Sequence, residues 1–133
     1  MAVACREGFT AVVREHGNLW AFGKGNYGQL GLGIDADQLL PALVGGADEV
    51  FDGEAIVMVA AGPKFTACVT AKGTLWTWGY RTHGQLGHCD REQRQRPARL
   101  GKEEYGWSPA VMVSCCEAHT LVLTAVGLVW SCG

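Results

Sequence analysis

The chain has 133 residues, enough for one domain with a sizeable core, and its formal charge of −2 argues against nucleic acid or an anionic membrane as its main target. Arg6 and Glu7 stand where a signal peptide needs its apolar stretch, and Glu117 and His119 interrupt the best apolar run, well short of the roughly 18 residues of a membrane span. The expectation is therefore a soluble intracellular protein, in cytoplasm or nucleus.

The use of 19 glycines against 4 prolines predicts many tight turns between short strands. The first such turn raises a question of chemistry. In LWAFGKGNYGQLGLG, residues 19–33, Gly23, Gly25 and Gly28 have the spacing of a dinucleotide-binding loop behind a short apolar run. The stretch returns 56 residues later: LWAFG at 19–23 becomes LWTWG at 75–79, and GQLG at 28–31 becomes GQLG at 84–87. Phe9-Thr10-Ala11 becomes Phe65-Thr66-Ala67, and Pro41-Ala42 becomes Pro97-Ala98. A third copy follows, because VMVSCCEAHTLVLTAVGLVWSCG at 111–133 aligns with 57–79 at an offset of 54. The units are repeat 1 at 1–56, repeat 2 at 57–110 and a partial repeat 3 at 111–133, together one incomplete domain.

Within a copy the local signals are those of antiparallel strands. Val57–Ala60 is an apolar strand, and Phe65–Thr70, rich in small and β-branched residues, is a second. Ala71-Lys72-Gly73 is the hairpin turn, and Leu75–Trp78 returns with its aromatics on the pleated surface. The copies answer the nucleotide question. In the second, Arg81 replaces the middle glycine, and in both a Gly-Gln-Leu-Gly follows where a phosphate-binding helix has to begin. The shared glycines, Gly23, Gly28 and Gly31 with Gly79, Gly84 and Gly87, are read as backbone turns, and no cofactor is assigned.

The apolar strand, the (Phe/His)-Thr step, the hairpin glycine, Leu-Trp-x-(Trp/Phe)-Gly and Gly-Gln-Leu-Gly form one connected pattern. It resembles the repeat of the regulator-of-chromosome-condensation family over nearly the whole chain. The resemblance implies an all-β fold: antiparallel four-stranded blades of a β-propeller, normally seven-bladed, here incomplete. Blades bury their faces on one another, so two and a half copies leave apolar faces uncovered, expected to bear Trp76, Trp78 or Val122. A piece of a longer chain, or self-association, would meet that need.

Candidate sites are few. The six cysteines show no C-x-x-C pair and no zinc spacing, and those in strand-like contexts are read as small buried hydrophobes. His119 falls at the family's structural His-Thr place and is expected to pack, whereas His83 and His88 are expected in solvent. Trp20, Trp76 and Trp130 recur at one strand position and are assigned to core packing, while Trp107 lies outside the pattern. A plant ultraviolet-B photoreceptor is one branch of the family. Its diagnostic Gly-Trp-Arg-His-Thr falls on Gly62-Pro63-Lys64-Phe65-Thr66, without the tryptophan.

The connectors carry the charge. The first holds Asp35, Asp37, Asp48, Glu49, Asp52 and Glu54, with no Lys or Arg between Gly33 and Ala55, and the second holds Arg91, Arg94, Arg96, Arg99 and Lys102. They are read as solvated loops, or as loops that supply charge complementarity to a protein partner, with Arg91, Arg94, Arg96, Arg99, Asp35 and Asp37 as the contact residues. No catalytic set recurs at a shared repeat position. The expected function is a non-enzymatic protein-interaction scaffold, and the alternative is guanine-nucleotide exchange on a small GTPase. A small GTPase, a ubiquitin-pathway protein or another signalling protein is the implied partner.

Overall fold

The computed structural model describes residues 1–46, 50–90, 92–101, 103, 105–106 and 108–133. The chain forms three antiparallel sheets in succession. The first is β1 (Ala2–Arg6), β2 (Phe9–Val13), β3 (Leu19–Gly23) and β4 (Gln38–Leu43), paired in that order. The second is β5 (Ile56–Ala61), β6 (Phe65–Thr70), β7 (Leu75–Gly79) and β8 (Arg94–Leu100). The third has three strands, β9 (Ala110–Cys115), β10 (Thr120–Thr124) and β11 (Val129–Cys132). Among the described residues no helix is long and apolar enough to cross a membrane.

Burial along equivalent strands shows how the sheets stack. All six residues of β6 are buried, because a sheet lies on each of its faces. In β2 only Phe9, Ala11 and Val13 are buried, whereas in β10 it is the alternate set, Thr120, Val122 and Thr124. Because side chains alternate between faces of a strand, the first and third sheets cover opposite faces of the second. One core cluster joins Phe9, Ala11, Leu19 and Leu30 to Cys68, Trp76 and Trp78, and another joins Val69, Leu75 and Leu100 to Val113 and Val122. Each large side chain so buried contributes about 1.5–3 kcal/mol. The sheets approach most closely through their first strands, with β5 against β1 and β2, and β9 against β5 and β6. The last strands, β4 and β8, lie on the outside.

The uncovered surfaces are not those expected from the sequence. Trp76, Trp78 and Val122 are 6%, 1% and 3% exposed, since all three point into contacts between sheets. Apolar residues in solvent include Val3 on β1, Leu39 and Leu40 on the outer strand β4, Val111 and Met112 on β9, and Val126, Leu128, Val129 and Trp130 in and before β11, a strand that has no outer neighbour among the described residues. Trp130 is therefore 40% exposed despite its repeat position, and Trp20 is half-buried beneath the Arg14 guanidinium, 5.6 Å from the ring. His119 is exposed because its face of the third sheet has no further sheet against it among the described residues, whereas its equivalents Phe9 and Phe65 are covered by the next sheet.

A repeated lock joins each sheet to the next. The Gln29 carbonyl accepts from Thr66 Oγ1 at 2.7 Å and from Trp78 Nε1 at 2.9 Å, both in the second sheet. One copy later the Gln85 carbonyl accepts from Thr120 Oγ1 at 2.7 Å and from Cys132 Sγ at 3.6 Å. The glutamine side chains close their own turns, accepting from the amides of Tyr27 and His83. Gln-Leu recurs between glycines because its carbonyl is the acceptor and its leucine, Leu30 or Leu86, is the buried plug.

Candidate functional site

The two hydrogen-bonded turns at 25–28 and 28–31 replace any helix after Gly23. A Cβ on Gly25 would stand 1.9 Å from the Ala36 carbonyl oxygen, so close backbone approach accounts for the middle glycine. The Gly25 amide donates to Asp37 Oδ1 at 3.0 Å, which ties the two ends of this loop together. In the second copy Arg81 and Asp90 close the loop instead, by an ion pair. Gly23, Gly28, Gly31, Gly79, Gly84 and Gly87 all have positive φ, between 71° and 111°.

The charged connectors are not simply loops. Residues 38–43 and 94–100 form the outer strands β4 and β8, so Arg94, Arg96 and Arg99 are strand residues. The expectation of arginine-bearing loops is corrected accordingly: the chain needs a fourth strand to pair with β3 and β7, and only the connectors can supply it. Asp35 and Asp37 do lie in a loop. Arg91, Asp48, Glu49, Lys102 and Trp107 lie outside the described residues.

Much of the connector charge is met within the chain. Asp35 accepts from the amides of Gln93 at 3.1 Å and Gln95 at 2.8 Å, across the boundary between sheets. Asp52 lies 3.5 Å from Arg99, and Arg96 lies so close against Gly33 that a Cβ there would be 2.8 Å from its Nε. Arg81, only 7% exposed at its side chain, and Arg94 both pair with Asp90. A backbone hydrogen bond from Glu92 and these two arginines hold the Asp90 carboxyl below its usual range, against a smaller desolvation effect. His88 belongs to the same cluster and is half-buried, contrary to the expectation of solvent. The cause is a hydrogen bond between Nε2 and Thr77 Oγ1 at 2.9 Å. Thr77 spends its proton on the Leu86 carbonyl, so the imidazole donates and Nε2 carries hydrogen. Burial, then Arg94, lower its pKa to about 4.

The cysteines divide. Cys68 is fully buried and its thiol pKa is pushed up by desolvation, Cys115 is raised to about 12 by the same cause, and Cys5 and Cys89 are at the surface.

A different group gathers at one end of the sheets. The turns at 7–8, 62–64 and 116–119 and the loops after β3 and β7 all emerge there. Lys64 is held between two loop aromatics, its Nζ 4.4 Å from the Tyr27 ring centre and 5.4 Å from that of Tyr80. The two rings meet edge to face at 5.1 Å. Two hollows adjoin at this point. One, of about 230 Å³, is lined by Glu7, Lys24, Asn26, Tyr27, Gln29 and Lys64, and the other, of about 270 Å³, by Lys64, Tyr80, Thr82, His83, Gln85 and Glu117 among others. Sequence reasoning missed this group, because its lysines and tyrosines stand at positions that other residue types fill in the other copies, although Gln29 and Gln85, and Glu7 and Glu117, do recur.

Comparison with known proteins bears on all of this. The regulator of chromosome condensation (RCC1) repeat matches residues 16–69 and 72–123. The chain belongs to the RCC1 repeat family. Each matched RCC1 unit starts before the third strand of one sheet and ends within the second strand of the next. Ultraviolet-B receptor UVR8 of Arabidopsis thaliana is 38% identical over 98% of this chain and 28% of the receptor. The human E3 ubiquitin-protein ligase HERC2 is 32% identical over 98% of this chain but only 3% of the ligase. Among solved structures, human WBSCR16 superimposes with a TM-score of 0.87 at 26% identity, covering 97% of this chain and 31% of that one. The three sheets are thus blades of an RCC1-type β-propeller, and the chain spans about a third or less of these relatives.

Proposed function

We propose that this chain is part of a non-catalytic propeller scaffold that binds other proteins through the loop-bearing end of its blades. The observation that carries the reading is the pair of adjoining hollows that share Lys64. Tyrosines with a polar and charged border are the composition of protein-binding surfaces, and short turns on a sheet scaffold position them without ordering cost. The outer strands compete less well, because Arg94 and Arg99 already have carboxylate partners. The occurrence of such repeats within a ubiquitin ligase suits a recognition module in a larger protein.

The test is site-specific photo-crosslinking in the intact protein. A photo-reactive residue at Thr82, on the loop-bearing end, is expected to trap partner proteins, and one at Arg96, on the outer strand, to trap far fewer. Equal trapping at both positions rejects the assignment. A fluorescent-GDP release assay across small GTPases tests exchange, and release above the intrinsic rate would replace the scaffold reading.

A further inference from the structure

We infer that the hollow between Lys24 and Lys64 receives an acidic side chain from an extended segment of the partner protein. The inference rests on the loop-bearing end being the binding face, and it adds the chemistry of what binds.

Among the described residues, neither lysine has a carboxylate within ion-pair distance. Lys72, Arg81, Arg94 and Arg99 each have one, and Arg6, Arg14 and Arg96, which also have none, do not line this hollow. Lys64 is half-buried, and its ammonium group is placed by two aromatic rings rather than by solvent. Cation–π contact fixes a cation's position without neutralising its charge, so the group stays available to an incoming anion. Lys24 reaches the same hollow from the first blade. Its stem lies across the 7–8 turn, so close that a Cβ on Gly8 would sit 3.1 Å from it. Glu7 is the one acid lining this hollow, leaving an excess of positive charge, and the exposed Asn26 adds a neutral amide.

The adjoining hollow has the opposite bias. It shares Lys64 and Glu7 with the first hollow and adds Glu117, so its two acids outnumber its one lysine, with Thr82 and His83 also in its lining. A segment crossing both hollows therefore fits best with an acidic residue over Lys24 and Lys64 and a neutral or basic one toward Glu117. Charge of this kind acts chiefly on association rate and on choice of partner.

The experiment uses the intact protein and fluorescence anisotropy of a short fluorescein-labelled peptide of alternating Glu and Gly, with its Gln counterpart as control. The Glu peptide is expected to bind in a salt-sensitive manner. The double variant Lys24→Gln/Lys64→Gln should weaken it about tenfold or more, which is about 1.4 kcal/mol. Arg96→Gln, a surface change on the outer strand, should leave it unchanged, and circular dichroism melts confirm that each variant is folded. Equal binding of the Glu and Gln peptides, binding insensitive to the lysine pair, or no binding of either peptide overturns the inference. Photo-crosslinking at Thr82 in the Lys24→Gln/Lys64→Gln background separates the two levels. Partners still trapped there, with no Glu-peptide preference, leave the binding face in place and remove only the acidic occupant.

Discussion

Replacing Gly31 by alanine tests the contact between blades at its tightest point. Gly31 has φ of 71°, and a Cβ there would sit 2.7 Å from Trp78 Nε1 and 3.1 Å from two further ring atoms. The indole cannot retreat: it is 1% exposed and its Nε1 donates to the Gln29 carbonyl. The left-handed backbone costs an alanine about 1 kcal/mol. Overpacking against a fixed ring adds about 1–3 kcal/mol, so the whole effect is about 2–4 kcal/mol. Gly87 is the internal control. Its φ is 77°, but its Cβ would meet Leu100 at 3.1 Å and Cys132 Sγ at 3.3 Å, side chains with room to shift. Gly87→Ala should cost about 1 kcal/mol, the backbone contribution alone. Urea unfolding of the intact protein, followed by tryptophan fluorescence, gives both values from the midpoints. Equal losses would refute the claim that Trp78, rather than turn conformation, sets the demand at Gly31.

Three further outcomes follow from the same geometry. Thr66→Val leaves the Gln29 carbonyl bonded to Trp78 and should cost about 0.5–1 kcal/mol, whereas Thr120→Val leaves the Gln85 carbonyl only a weak thiol donor and should cost about 1–3 kcal/mol; denaturant midpoints decide whether the order holds. His88 stays neutral in the folded state down to about pH 4, while the unfolded chain protonates near 6.5. The unfolded state therefore binds more protons between these values, and stability should fall as pH drops from 6.5 toward 4. Thermal melts of His88→Gln across this range should show a shallower decline than the parent. Arg99→Ala breaks an ion pair whose side chains are both about half exposed, and it should change stability by less than about 0.5 kcal/mol in the same urea assay.

The sequence was most informative where one residue had one physical job. The hairpins were legible because β6 and β7 carry small and aromatic residues between turn glycines, and the repeat multiplied that signal. The outer strands were harder to see. Gln38–Leu43 and Arg94–Leu100 sit at the margin, where exposure on both faces removes the alternation that marks a half-buried strand. Each also contains a proline, which suits an outer strand that need not donate outward. The recurring Pro41-Ala42 and Pro97-Ala98 were the signal for them, since repetition in a connector implies shared structure. The pairing of Asp35 with Gln93 and Gln95, and of Lys64 with Tyr27 and Tyr80, could not be read at all. Asp35 and its two glutamines lie on different copies, as do Lys64 and Tyr27, and only the stacking of sheets brings them together, whereas Lys64 and Tyr80 meet through the pairing of β6 with β7 inside one copy.

The phase of the sequence unit has a consequence for how such a chain can grow or shrink. Because each unit straddles two blades, every junction between units falls inside a hydrogen-bonded ladder, not at a seam. Duplicating or deleting one unit changes the number of blades by one while every strand keeps a neighbour. Genetic length variation is thereby absorbed without an orphaned edge at the splice point, and a proteolytic nick between units leaves two pieces still zipped along their shared sheet.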